Sequence, residues 1–508
     1  MKRTVVALIV AALPVAAESA TPAAVQEALV KSVVYFHQHA ATHGGYVYRY
    51  SGDFMLREAE GIPGPDTIWI QPPGTPAVGD VALDAYEVTG DKRCLDIAVE
   101  AARALSRTQL ESGGWDYAGH FDDKTRNRIL YRRNTTGERL QRSRVPQSEA
   151  GWHIWRQREH KDTNCSTLDD DVTQSATRLL LRVDHALGLK DPELHEAAEF
   201  AVKALIAAQY PNGAWSASFD TFPSDSAPAD RFPLKPAAYP ADWPRTWPKD
   251  FTGCYVLNDN LHATALRTLY LASVLHQNKD ALAAAKRAGD FLLLAQMPDP
   301  QPAWAQQYDA DMHPVWSRAF EPSSLCGRES QAVMWVLLRL ASATGEKKYL
   351  EPLPRAVKYL RSSLLPDGKI ARFYELQTNK PLYFERGKGG KGFILTHDGR
   401  NASSNYGWVW DSELDAIEAA HDTILKDGRP VFPPTEKEKW NLPPSDDEVT
   451  QILSALNAEG AWVEKDGDRG IIRDAEGKKQ SPALGVVHSD TFVQNVRALA
   501  AWLKAKKS

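Results

Sequence analysis

The chain has 508 residues, 43% hydrophobic and 25% charged, a globular composition that excludes the disordered and collagen-like classes. Lys and Arg total 60 and Asp and Glu total 65, leaving a net charge of −5. Such a chain has no general field for nucleic acid, and an anionic ligand would need a local basic site.

The chain opens with Met1-Lys2-Arg3, followed by an apolar run from Val5 to Ala17 that ends in small residues. This is the pattern of a secretory signal peptide, predicted over residues 1–20 with cleavage near Ala17. The run is shorter than the roughly 20 residues a membrane span needs. The expectation is a secreted or periplasmic protein, free of the membrane after cleavage.

A repeat then sets the architecture. A polar loop, a helical stretch and a tight turn before an apolar residue recur as Asp91 to Trp115, Asp191 to Trp215, Asp280 to Trp304 and Glu346 to Ile370. The separation is 24 each time (115 − 91, 215 − 191, 304 − 280, 370 − 346). In the second copy Asp191 is a good N-cap and Pro192 suits the first helical position. Apolar residues from Leu194 to Ala208 then follow a 3.6-residue period. Further helices are predicted over Val172–Leu187, Asn260–Leu275 and Glu329–Ala343, ahead of the polar loops. Gly44-Gly45-Tyr46 and Gly460-Ala461-Trp462 are weaker copies near the two ends. Tandem helical hairpins with long polar, Trp-rich loops predict an all-α (α/α) toroid, with short strand-like pieces such as Ile370–Tyr374 in the loops. The loops gather at one end and carry the function.

Asp169-Asp170-Asp171 opens one predicted helix, and Asn258-Asp259-Asn260 opens the next. The offset 259 − 169 = 90 is one repeat length. Helix capping and the helix dipole account for one acid at each start. Several hard oxygens together suit Ca²⁺. Cys165 and Cys254 precede the two helix starts, and a bridge between them is one candidate among the pairings four cysteines allow. Arg318, Arg372 and Arg386 stand in aromatic loops, and Lys388 follows in the glycine-rich stretch Gly387–Gly392. Gathered at one end, such groups would recognise carboxylates through the planar guanidinium fork. A further basic run, Arg126 to Arg144, reads as a solvated insertion or one lip of an anion-binding cleft.

The runs TLDDDVT, QYPNGAW, VLNDN, PVWSRAFEPSSLCGRES and ARFYELQTNKPLYFERG, in this order between Cys165 and Trp408, resemble the pectic acid lyases of polysaccharide lyase family 10. The resemblance implies an α/α toroid and Ca²⁺-assisted β-elimination of polygalacturonate or a related uronan. It implies Asp169 and Asp259 as metal ligands, with Asp170 beside them where the family commonly has Asn. It also implies Arg386 as catalytic base, and Arg318 and Arg372, with Lys388 added from its place in the basic loop, as substrate-carboxylate binders. The organisation expected is residues 21–150 as N-terminal hairpins, 151–411 as the lyase-like core and 412–508 as the segment closing the toroid. The expected partner is an anionic polysaccharide, bound by a monomer. Two alternatives stay open. One is an inverting glycoside hydrolase drawing two carboxylates from Asp309, Glu321 and Glu375. The other is a non-catalytic carbohydrate-binding protein.

Overall fold

The computed structural model describes residues 20–133, 164–220, 232–248, 255–404, 406–427 and 443–507. The signal-peptide segment up to Ser19, Cys254 with its expected bridge, and the basic run beyond Arg133 lie outside the described residues. Arg132 and Arg133 both pair with Glu196, and Arg126 lies over the rings of Phe121 and Tyr131.

Helix α1 spans Pro22–Ala40, capped by Thr21. Four hairpins follow: α2 (Thr75–Thr89) with α3 (Lys92–Thr108), α4 (Val172–Ala186) with α5 (Pro192–Ala207), α6 (Leu261–Leu275) with α7 (Lys279–Leu294), and α8 (Gly327–Thr344) with α9 (Leu353–Ser362). Then come α10 (Leu414–Asp427), α11 (Asp446–Ser454) and α12 (Ser489–Lys507). The first helix of each hairpin packs on its counterparts, in the order α12, α2, α4, α6, α8, α10. The second helices form an outer layer in which α1, α3, α5 and α7 touch in turn. The last helix returns to pack on α1 and α2. Arg49–Ser51 pairs antiparallel with Val486–His488, and Ser489 donates its N–H to the Tyr48 carbonyl. The two ends of the described chain are thus stitched together, in keeping with the toroid that the hairpin repeat predicts. Among the described residues no helix is long and apolar enough to cross a membrane.

The 24-residue repeat has a physical basis at its turn. Trp115, Trp215, Trp304 and Trp462 are buried. Their indole N–H groups donate to Leu105, Leu205, Leu292 and Ile452 at 2.8–3.0 Å, answering carbonyls that a helix end leaves without partners. Gly213 before the second of these has φ +96°, and a Cβ there would collide with the Arg287 carbonyl, so glycine is required twice over. Helix starts follow the sequence less evenly. Asp91 and Asp191 cap α3 and α5. Asn278, not Asp280, caps α7 through its side chain. In the fourth copy Glu346 makes no cap, and a short 3₁₀ turn precedes α9.

Each turn also places the start of the next inner helix. The carbonyls of Trp115, Trp215 and Trp304 accept from the N–H groups of Thr167, Val256 and Cys326. The inner helices therefore present their N-termini at one end of the ring. Beside them a four-stranded antiparallel sheet runs in the order Phe393–Thr396, Pro381–Arg386, Phe373–Glu375, Ser324–Cys326. The strand-like piece expected near Ile370 is part of this larger loop structure.

Candidate active site

The two acidic helix starts share one backbone shape. Asp170 and Asp171 are both left-handed, with φ 53° and 61°, and Asp259 and Asn260 repeat this at 48° and 62°. Asp and Asn tolerate that region better than other side chains do. Neither start is side-chain capped, so capping does not explain these acids. Helices α4 and α6 stand in register, because Gln174 bonds Thr264 and Arg178 bonds Thr268, each 90 positions on. The matching backbone positions are 89 apart (259 − 170, 260 − 171), so Asp259 corresponds to Asp170, one residue off the 169-to-259 match read from the sequence. The carboxylates of Asp169, Asp170 and Asp259 meet, with one oxygen from each within 4.8 Å of the others.

The third acid of the run turns away. Asp171 makes a two-pronged pair with Arg178 at 2.9 and 2.5 Å. Tyr117, from the first hairpin, donates its hydroxyl toward Asp169 (3.3 Å) and Asp170 (3.1 Å). Burial raises the Asp170 carboxyl above its usual range, and the neighbouring Asp259 charge adds to this.

Asp259 is held on its other side by three guanidinium groups. Arg328 stands at 2.8 Å, Arg372 at 3.2 Å and Arg318 at 3.4 Å. Burial pushes the Asp259 carboxyl up, but Arg372, Arg328 and Arg318 outweigh it and hold it below the usual carboxylate range. These arginines are themselves positioned by buried acids. Glu329 lies 3.1 Å from Arg372, and Glu321 lies 2.5 Å from Arg318. Burial opposes the charge on Arg318 and Arg372, yet Glu321 for the first and Glu329 for the second, with Tyr406 beside both, raise each well above the ordinary guanidinium value. Tyr406 donates to Glu321 at 2.7 Å and lies against Arg372, 3.8 Å from ring centre to guanidinium.

A cleft of about 900 Å³ opens onto this cluster, and its walls include Glu60, Trp69, Tyr117, Asp169, Asp170 and Arg318. Of the arginines expected from sequence, Arg318 lines the cleft, and Arg372 is buried behind it at 2% exposure. Arg386 and Lys388 are exposed. Arg386 lies 4.4 Å over Phe393, whose ring meets Phe320 and through it Tyr406. The same aromatic patch thus borders Arg318, but among the described residues Arg386 makes no ion pair with the acids. Arg328 and Tyr117 were not singled out from the sequence. Arg328 sits inside the quoted run PVWSRAFEPSSLCGRES, in the first turn of α8, the third inner helix start to reach this end of the ring. Tyr117 follows Trp115 by two, and the Trp115 carbonyl already holds the strand leading to Asp169.

Three comparisons with known proteins bear on this cluster. The model of the pectic acid lyase family matches residues 134–367. Among curated proteins none matches. Solved structures similar to the chain include a family 10 polysaccharide lyase from Cellvibrio cellulosa, at 18% identity, covering 68% of this chain and 96% of that one, with a TM-score of 0.40. A mutant of that lyase in complex with trigalacturonic acid is 17% identical, covers 68% and 98%, and scores 0.39. Cellobiose 2-epimerase from Bacillus thermoamylovorans B4167 is 10% identical, covers 95% and 99%, and scores 0.47. The resemblance read from five sequence runs is borne out by the family match: residues 134–367 match the model of the pectic acid lyases.

Proposed function

We propose that this chain cleaves polygalacturonate or a related uronan by β-elimination, in an exported form, with Ca²⁺ bound at Asp169, Asp170 and Asp259. One observation carries the reading: three carboxylates meet at a cleft within reach of Arg318, Arg328 and Arg372. Acids alone repel a uronate, and arginines alone leave the acids unexplained. The donor set fits a hard cation, because it is all oxygen and because Asp170 resists ionisation beside Asp259. When bound, the ion draws charge from a substrate carboxylate, which stabilises the negative charge that develops when the C5 proton leaves.

The chain's own residues supply the rest. Arg318 and Arg328 stand where planar forks can take a uronate carboxylate. Arg372, buried between Glu329 and Asp259, holds the acid in place. Trp69 and Tyr117 offer ring faces to the sugar. An arginine takes the C5 proton, and the electron pair expels the oxygen at C4. The resemblance assigns this step to Arg386. Arg318 stands beside the acids, where it can bind a substrate carboxylate. A guanidinium serves as base only when its charged form is disfavoured, and Arg318 is held charged by Glu321 and Asp259. Arg318 therefore suits carboxylate binding, and Arg386 keeps the role of base.

The hydrolase alternative needs two carboxylates about 6.5–9.5 Å apart with a water between. Glu321 is 1% exposed and engaged by Arg318 and Tyr406, and Asp309 accepts from the N–H groups of its own turn. The decisive assay incubates polygalacturonate with the protein, in Ca²⁺ or in chelator, and follows ultraviolet absorbance of the new C4=C5 double bond. Absorbance that rises only with Ca²⁺ is expected. New reducing ends without absorbance mean hydrolysis, and binding without either product means a non-catalytic receptor.

A further inference from the structure

A second cluster lies at the opposite end of the same two hairpins. Asp184 sits in the last turn of α4. It is 184 − 171 = 13 residues beyond the acidic start, about 20 Å along the helix axis. His195 and Glu199 lie on the first turns of α5, and His276 follows the end of α6. Ligand atoms from Asp184, His195 and His276 lie within 4.8 Å of one another. His195 Nδ1 is 2.8 Å from Asp184 Oδ2, and His276 Nε2 is 3.4 Å from the same oxygen. Donors held 2.0–2.1 Å from a tetrahedral ion are about 3.3 Å apart, a spacing these atoms can adopt with small side-chain shifts.

The acceptors placed around His276 point the same way. Glu199 Oε1 stands 3.0 Å from His276 Nδ1. With the ring proton on Nδ1 donated to this carboxylate, Nε2 becomes a lone pair, the arrangement that orients a metal-binding imidazole. That lone pair faces two further acceptors, Asp184 Oδ2 and the Leu181 carbonyl oxygen, each at 3.4 Å. Three acceptors converging on one point repel unless a cation or a proton lies among them. The Asp184 side chain is wholly buried and that of His276 is 1% exposed. The second Asp184 oxygen, Oδ1, is buried with no hydrogen-bond partner, a costly state for a carboxylate held for structure alone. The His195 side chain is 43% exposed and leaves the cluster open to solvent.

We propose that Asp184, His195 and His276 bind one divalent transition-metal ion of the Zn²⁺ class, with Glu199 as the carboxylate behind His276. Two imidazoles and one carboxylate select this class over Ca²⁺. The ion joins the end of α4, the start of α5 and the end of α6, and so locks two successive hairpins at the end of the ring remote from the cleft. The site does not depend on the lyase reading.

The full chain, stripped of metal with chelator, is titrated with Co²⁺ and with Zn²⁺. Visible absorption, equilibrium uptake and thermal melting are followed in excess Ca²⁺. A single Co²⁺ ion with the intense bands of a low-coordinate nitrogen–oxygen site is expected, together with a melting temperature raised by Zn²⁺. His195→Gln, at a partly exposed position, weakens uptake by about 10–100-fold and abolishes the thermal shift. Asp170→Asn, at the cleft, changes neither. Absence of uptake by the wild type overturns the proposal. Uptake that His195→Gln leaves unaltered, or that Asp170→Asn removes, overturns it equally.

Discussion

The starts of α4 and α6 have one backbone and two electrostatic fates. Both place two successive residues in the left-handed region, and both direct an acid to the same point. Around Asp169 and Asp170 the neighbours are Tyr117, the cleft and another acid. Around Asp259 they are three arginines. The carboxyl of Asp170 is accordingly pushed up and that of Asp259 pulled down. A repeat can therefore duplicate a strained turn while the loops packed on it divide the labour. One start gathers its acids with Tyr117 at the cleft, and the other ties its acid to the arginines that face a polyanion.

The largest effect comes from breaking the shared partner. Asp259→Ala leaves Arg318, Arg328 and Arg372 without their common acid and removes one candidate ligand. Lyase turnover falls by at least about 10³-fold, on the scale of losing a preorganised electrostatic group, and stability falls by about 3–5 kcal/mol, as when a buried pair is broken. Absorbance assays with parallel denaturant melts read both. Full turnover in this variant overturns the assignment of the cluster as the active site. The arginines come next. Substituting Lys for the base lowers kcat by about 10²–10⁴-fold, whereas Lys at a carboxylate-binding position acts mainly on KM. Arg318→Lys and Arg386→Lys, compared side by side, show which of the two takes the proton. A loss of kcat confined to Arg386→Lys is expected, and one confined to Arg318→Lys overturns the assignment of Arg386 as base.

A pH series tests the unequal fates directly. Asp170 has a folded value above its unfolded one, so its contribution to stability is full at low pH and is lost as pH rises through the folded value. Asp259 has a depressed value, so its contribution is present above the usual carboxylate range and is lost as pH falls through the folded value. Without a cation, Asp170→Asn should then melt higher than the wild type near neutral pH, by about 1 kcal/mol or less. Added Ca²⁺ should reverse the order, because only the wild type keeps the full set of acids. Identical Ca²⁺ responses in the two proteins would exclude Asp170 as a ligand.

Much of this was legible in sequence because it is local. Asp191 and Pro192 announce α5, and the constant spacing of the Trp turns announces the ring. The neighbourhood of the two acidic helix starts was legible from their spacing, though the backbone match is Asp170 with Asp259, one residue off the 90-residue offset. In the third copy, which the spacing starts at Asp280, the cap is Asn278, which lies closer to the first free N–H groups of α7. Residues that meet only through the fold left a weaker trace. Tyr117 reaches Asp169 from 52 positions away, and Arg328 reaches Asp259 from 69. Nothing in their immediate neighbours distinguishes them from an ordinary surface Tyr and Arg. The base is the same difficulty in reverse. A motif singles out Arg386, but which guanidinium faces the acids depends on how the strand Pro381–Arg386 and the loop around Arg318 pack.

The smallest and sharpest test asks whether the two left-handed turns are interchangeable once their side chains are discounted. Asn260 and Asp171 occupy matching positions at φ 62° and 61°. Glycine adopts that conformation without the steric cost an L side chain carries. Asn260 Oδ1 is buried with no hydrogen-bond partner, so Asn260→Gly loses little and should be neutral to about 1 kcal/mol stabilising. Asp171 has the same backbone but holds Arg178 through two hydrogen bonds. Asp171→Gly relieves the same strain yet leaves a buried guanidinium half-answered, for a net loss of about 1–3 kcal/mol. Urea melts of the two variants measure the difference. Equal responses would mean that the turn itself, and not the Asp171–Arg178 pair, sets the stability of this end of the ring.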